Sequence, residues 1–114
     1  MSTISTHVLD TALGTPARGV GVALERLHED GSGVAIGGGE TDADGRVRDL
    51  VAAGTVISAG DYRLRFETGR YLAASGREVF YPAVTVDFRL TGPDAHYHVP
   101  LLLSPFGYST YRGS

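Results

Sequence analysis

Apolar and polar residues alternate in short runs along this chain, and the runs are broken every ten residues or so by glycine, proline and aspartate. "STHVLD" (5–10), "VGVALERL" (20–27), "DYRLRFE" (61–67), "AVTVDFRL" (83–90) and "YHVPLLL" (97–103) fit strands by period-two alternation or by β-branched and aromatic content. "GVAIGGGE" (33–40), "RVRDL" (46–50) and "GYSTYR" (107–112) add three more candidates, giving eight strands. Turns are expected at "LGTPARG" (13–19), "EDGSG" (29–33), "DADG" (42–45), "SAGD" (58–61) and "TGPD" (91–94). "TGRYLAASG" (68–76) departs from alternation and predicts a helix of about two turns. Many strands without a long amphipathic helix imply an all-β sandwich.

The length of 114 residues suits one domain spanning 1–114, and no repeat or low-complexity linker divides it. The absence of cysteine excludes a disulfide scaffold, thiolate metal ligands and a cysteine nucleophile. The start "MSTISTHVLD" lacks a basic, signal-like opening, and no apolar run reaches the ~20 residues of a membrane span, so a soluble, cytoplasmic protein is expected. Net charge is −3, and all ten basic residues are arginine. They form no basic block or basic-aromatic stripe, which argues against nucleic acid as a partner.

Chemistry must come from few residues. Of the four histidines, His28 lies at a turn, where a solvated side chain is expected. Strand alternation places His7 on one face with Ser5 and Leu9, and puts the imidazoles of His96 and His98 together on another strand's face. Imidazole serves as base or metal ligand near neutral pH, so a three-histidine zinc site is conceivable, but no carboxylate stands at a ligand spacing and no metal is expected. "TDADGRV" (41–47) resembles part of a calcium loop, yet the position of the bidentate glutamate falls on Val51. A β-turn presenting the Arg46 guanidinium is the better reading. The glycines of "GSGVAIGGG" miss the spacing of a dinucleotide loop, and no G-x-S-x-G elbow is present.

"HVLDTALGTPARGVGVAL" at the start, "TDADGRV" in the middle and "HYHVPLLLSPFGYSTYRGS" at the end together resemble the transthyretin-related 5-hydroxyisourate hydrolases, across essentially the whole chain. Transthyretin itself shares "LLSP…YST" but lacks the closing "YRGS", so the resemblance favours hydrolase over hormone carrier. It implies a transthyretin-like β-sandwich of two four-stranded sheets with one short helix. It also implies a homotetramer, a dimer of dimers, with active sites in a central channel and no cofactor. By that similarity His7, Arg46 and His98 fall on catalytic positions. His7, Arg46, Tyr111, Arg112, Gly113 and Ser114 fall on substrate-binding positions, while His96 matches the motif without an assigned role. The implied reaction opens 5-hydroxyisourate with water to give 2-oxo-4-hydroxy-4-carboxy-5-ureidoimidazoline. The alternative is a carrier that binds aromatic small molecules in the same channel without turnover.

Overall fold

The computed structural model describes residues 2–92 and 95–113; Pro93 and Asp94 of the expected "TGPD" turn lie outside them. The elements in chain order are β1 (Thr3–Asp10), β2 (Thr15–Pro16), β3 (Gly21–Leu27), β4 (Gly33–Glu40), β5 (Arg46–Val47), β6 (Gly60–Phe66), α1 (Thr68–Ala74), β7 (Val84–Leu90), β8 (His96–His98), β9 (Leu101–Ser104) and β10 (Gly107–Thr110). They form two sheets with the single expected helix. One sheet runs β4-β3-β6-β7, all antiparallel. The other is organised around β1.

Six segments make up the β1 sheet, but they occupy four lanes. β8 and β9 both pair parallel with β1 and keep one register, with His98 opposite Ser5 and Leu101 opposite Val8. They are one strand interrupted at Val99–Pro100, where proline brings no N–H to the ladder. "YHVPLLL" is therefore two strands rather than the one expected. On the other edge of β1, β5 and β2 lie end to end, opposite Thr6–His7 and Leu9–Asp10. β2 falls in a stretch expected to be all turn. β10 completes the sheet outside β9.

Alternation decides which face of β1 is inside. Ile4, Thr6, Val8 and Asp10 are buried, and the other face carries Thr3, Ser5, His7 and Leu9. Ile4 and Val8 join Leu24, Tyr62, Leu64, Phe66, Val84, Leu90, Leu101 and Leu103 in one core between the sheets. Each such side chain contributes about 1.5–3 kcal/mol by leaving water.

Two polar devices inside this frame hold β1 in place. Thr6 Oγ1 donates to the Val99 carbonyl at 2.7 Å, which ties β1 to the interrupted strand where the ladder is weakest. Asp10, 1 % exposed, accepts from Arg77 at 2.6 and 3.2 Å, from the Tyr71 hydroxyl at 2.7 Å and from the Leu13 N–H at 3.2 Å. Burial alone raises the pKa of Asp10, and the hydrogen bonds from Arg77, Tyr71 and Leu13 outweigh it, so the net shift is downward. The network locks α1 and the segment after it against the end of β1.

Candidate functional site

The polar face of β1 meets three other pieces of chain. β8 lies alongside it in parallel register, with Thr3 opposite His96 and Ser5 opposite His98. On the other edge, His7 faces Arg46 of β5, and residues paired in this way share a face of the sheet. Arg46 reaches that position through the turn before it. The Asp42 carboxylate accepts the N–H groups of Asp44 (2.9 Å) and Arg46 (3.0 Å), which is the β-turn expected in place of a calcium loop. Gly45 makes the turn possible: its φ is +76°, and a Cβ there would lie 2.4 Å from the Val8 carbonyl oxygen.

These elements enclose an open cavity of about 370 Å³ lined by Ser5, Thr6, Arg46, Val47, Arg48, His96 and His98. His7 stands at its side. Its Nε2–H donates to the Asp44 carbonyl at 2.8 Å, so the neutral ring carries its proton on Nε2 and leaves Nδ1 as an acceptor. His98 Nδ1 is 2.8 Å from Ser5 Oγ, and the same oxygen is 3.0 Å from His96 Nε2. His98 Nε2 has no hydrogen-bond partner among the described residues. The His98 pKa is lowered, first by burial and then by the positive charge of Arg46 and by neighbouring His7 and His96. The shift favours the neutral form of His98, the form in which an imidazole can accept a proton.

The chain's last described residues close on His98 from the other side. The Gly113 N–H donates to the His98 carbonyl at 2.8 Å, and a Cβ on Gly113 would come within 2.5 Å of His98 Cδ2. The guanidinium of Arg112 sits over the Tyr97 ring, 5.0 Å from its centroid, a contact worth about 0.5–1 kcal/mol. Tyr111, 55 % exposed, and Arg112 line a second, smaller cleft of about 140 Å³ with Val86, Phe88 and His98.

His7, Arg46, His96 and Gly113 thus lie around the His98 ring, while Tyr111 and Arg112 flank it on the more apolar side. Ser114 lies outside the described residues. His28 is exposed in its turn, as expected. Among the described residues no group of three or more histidines and carboxylates has the arrangement of a metal site. Nor is any helix there long and apolar enough to cross a membrane. Ser5 and Thr3, which hold the two β8 histidines, were not singled out from the sequence. Their only signal was period-two alternation with His7.

The sequence pattern of the HIUase/transthyretin family matches residues 4–113. The chain belongs to the HIUase/transthyretin family. Within this family, the 5-hydroxyisourate hydrolase of Caulobacter vibrioides is 48 % identical over the full length of both chains. The structure of Klebsiella pneumoniae 5-hydroxyisourate hydrolase superposes with a TM-score of 0.85 at 41 % identity, covering all of both chains. Sea bream transthyretin, solved in complex with thyroxine, superposes with a TM-score of 0.88 at 33 % identity, covering 97 % of this chain and 94 % of its own. The backbone shape is therefore shared with a hydrolase and with a transthyretin alike.

Proposed function

We propose that this protein hydrolyses 5-hydroxyisourate, opening its ring with water to give 2-oxo-4-hydroxy-4-carboxy-5-ureidoimidazoline in urate breakdown. The observation that carries the reading is the juxtaposition of Arg46 with a half-buried His98 whose Nε2 is unengaged by the described residues, on the wall of one cavity. Full-length similarity to proteins named for this activity supports it.

His98 Nε2 takes a proton from water as the water oxygen attacks the amide-like carbonyl carbon. Positioned proton transfer of this kind contributes about 10²–10⁴ in rate. The Arg46 guanidinium orients the heterocycle and stabilises the developing oxyanion, a role often worth about 3 kcal/mol of barrier. His7, held by the Asp44 carbonyl, presents Nδ1 beside Arg46 and shares in handling the substrate's protons. Tyr111 and Arg112 hold the substrate from the apolar side, with Gly113 setting the position of the His98 ring and Ser114 completing the terminal motif. No step in this scheme calls for a metal or cofactor.

The working assembly is a homotetramer, a dimer of dimers. β7 and β10 stand at the ends of their sheets, and the aromatic rings of Phe80, Phe106, Tyr108 and Tyr111 are exposed, surface that a further copy of the chain can cover. Light scattering at four times the 12.0 kDa chain mass is expected, and a monomer would refute this.

The test is ultraviolet-monitored loss of 5-hydroxyisourate freshly generated from urate, with the uncatalysed rate subtracted. Loss proportional to protein concentration and indifferent to chelator is expected. A carrier of the transthyretin kind, the lesser reading given the higher identity to the hydrolases, would bind thyroxine-like aromatics and leave the decay at background.

A further inference from the structure

Ser5 is buried, carries one hydroxyl proton and touches two imidazoles. Its contacts with His98 Nδ1 and His96 Nε2 cannot both be donations from Ser5, so at least one ring must donate to Oγ. The arrangement continues outward, because His96 Nδ1 is hydrogen-bonded to Thr3 Oγ1 at an exposed position. Two orders in which Ser5 links the rings, accepting from one and donating to the other, are self-consistent for neutral rings. In the first, His98 Nδ1–H donates to Ser5, Ser5 to His96 Nε2, and His96 Nδ1–H to Thr3, which leaves a lone pair on His98 Nε2. In the second every bond is reversed, and His98 Nε2 carries a proton. The first order makes His98 a base and the second makes it an acid.

We propose that Thr3, His96, Ser5 and His98 form a proton relay that switches His98 from base to acid within one turnover; the proposal rests on the hydrolase reading of the site. As the attacking water forms its C–O bond, its proton passes to His98 Nε2. The Nδ1 proton then moves to Ser5 Oγ, the Ser5 proton to His96 Nε2, the His96 Nδ1 proton to Thr3 Oγ1, and the Thr3 hydroxyl proton to bulk water. His98 never has to keep two protons, a state that its partial burial near Arg46 disfavours. The ring now donates its Nε2 proton to the departing ring nitrogen as the C–N bond breaks. A proton entering from solvent at Thr3 runs the chain backwards and restores the first order, so no net proton is consumed from solvent.

Ser5 and His96 act through His98 and are positioning residues, so the test must separate a relay from a mere prop. Ser5→Ala, His96→Phe and the double variant are compared with the native protein in the 5-hydroxyisourate assay, with circular dichroism confirming the fold. The relay predicts that kcat falls about a hundredfold in each single variant, the lower end of what a positioned proton acceptor contributes. It also predicts KM within about twofold of native, a double variant no worse than the worse single, and recovery in Ser5→Thr. A bowed dependence of kcat on deuterium fraction in the native protein should become linear in Ser5→Ala. Native kcat in His96→Phe, or multiplicative losses in the double variant, overturn the relay and leave Ser5 as a prop for the ring. Long-range 1H–15N spectra give a readout independent of turnover: the His98 tautomer populations must shift in His96→Phe. Unchanged populations refute the relay. If the native protein fails to turn over substrate, it is the hydrolase reading that fails.

Discussion

β1 carries two polar clusters, one at Ser5 and one at Asp10, and they are built on opposite principles. At Asp10 a buried carboxylate is enclosed by Arg77, Tyr71 and the Leu13 N–H, so its charge is spent within the protein. At Ser5 the hydroxyl and the imidazoles of His96 and His98 form a chain that ends at His98 Nε2, unengaged by the described residues, on a cavity wall also lined by Arg46. The closed cluster lowers an acid's pKa by giving the charged form its partners; the open one lowers a base's pKa by half-burying the ring and setting it near Arg46. Polar groups that serve stability are satisfied by the fold, while those that serve chemistry are held in place with one group left for a ligand.

The comparison breaks first at His98. His98→Asn is expected to reduce kcat/KM by about 10²–10⁴ while the melting temperature stays within a few degrees, because the removed base is not part of the core. Gly113→Ala should cost about a hundredfold, since its Cβ must push the His98 ring aside and a displacement of about 1 Å has that effect. Asp10→Ala is the converse case. Leaving Arg77 without its buried partner should lower stability by about 3 kcal/mol in urea unfolding, while kcat/KM of the folded protein stays within about twofold of native.

Smaller effects sharpen the contrast through pH. The His98 pKa is depressed, so the unfolded chain binds its proton more readily than the folded one. This destabilises the protein as pH falls through the unfolded value of about 6.5, and the loss is complete below the folded pKa. Asp10 contributes stability above the unfolded carboxylate value of about 3.9, lost as pH falls through its lower folded pKa. The acid limb of kcat/KM should therefore lie below about pH 6.5. The NMR-determined His98 pKa should rise toward that value in Arg46→Gln, and an unchanged value would remove Arg46 from the account.

The eight strands and the helix were legible because each rests on local information, alternation or composition. Two features were not. β2 is only Thr15–Pro16, and it is a strand because Leu9 and Asp10 lie opposite it, a partnership that no local pattern encodes. The break at Pro100 was visible as a proline, but its consequence depended on knowing that the segment pairs on both edges, with β1 and β10. The site divides in the same way. His7, Arg46 and the His96–His98 pair stood out by residue type, and the family resemblance added the terminal motif. The place of Ser5 between two imidazoles follows from the parallel register of β1 against β8, a contact between opposite ends of the chain.

Hydrolysis of 5-hydroxyisourate by the open cluster on β1, with His98 as its base, stands or falls on one measurement: the background-subtracted rate of 5-hydroxyisourate loss for native protein and His98→Asn, side by side on the same freshly generated substrate. With His98 as the base, the native rate is proportional to protein and the variant rate at least about a hundredfold lower. A variant rate within about twofold of native removes His98 from the chemistry.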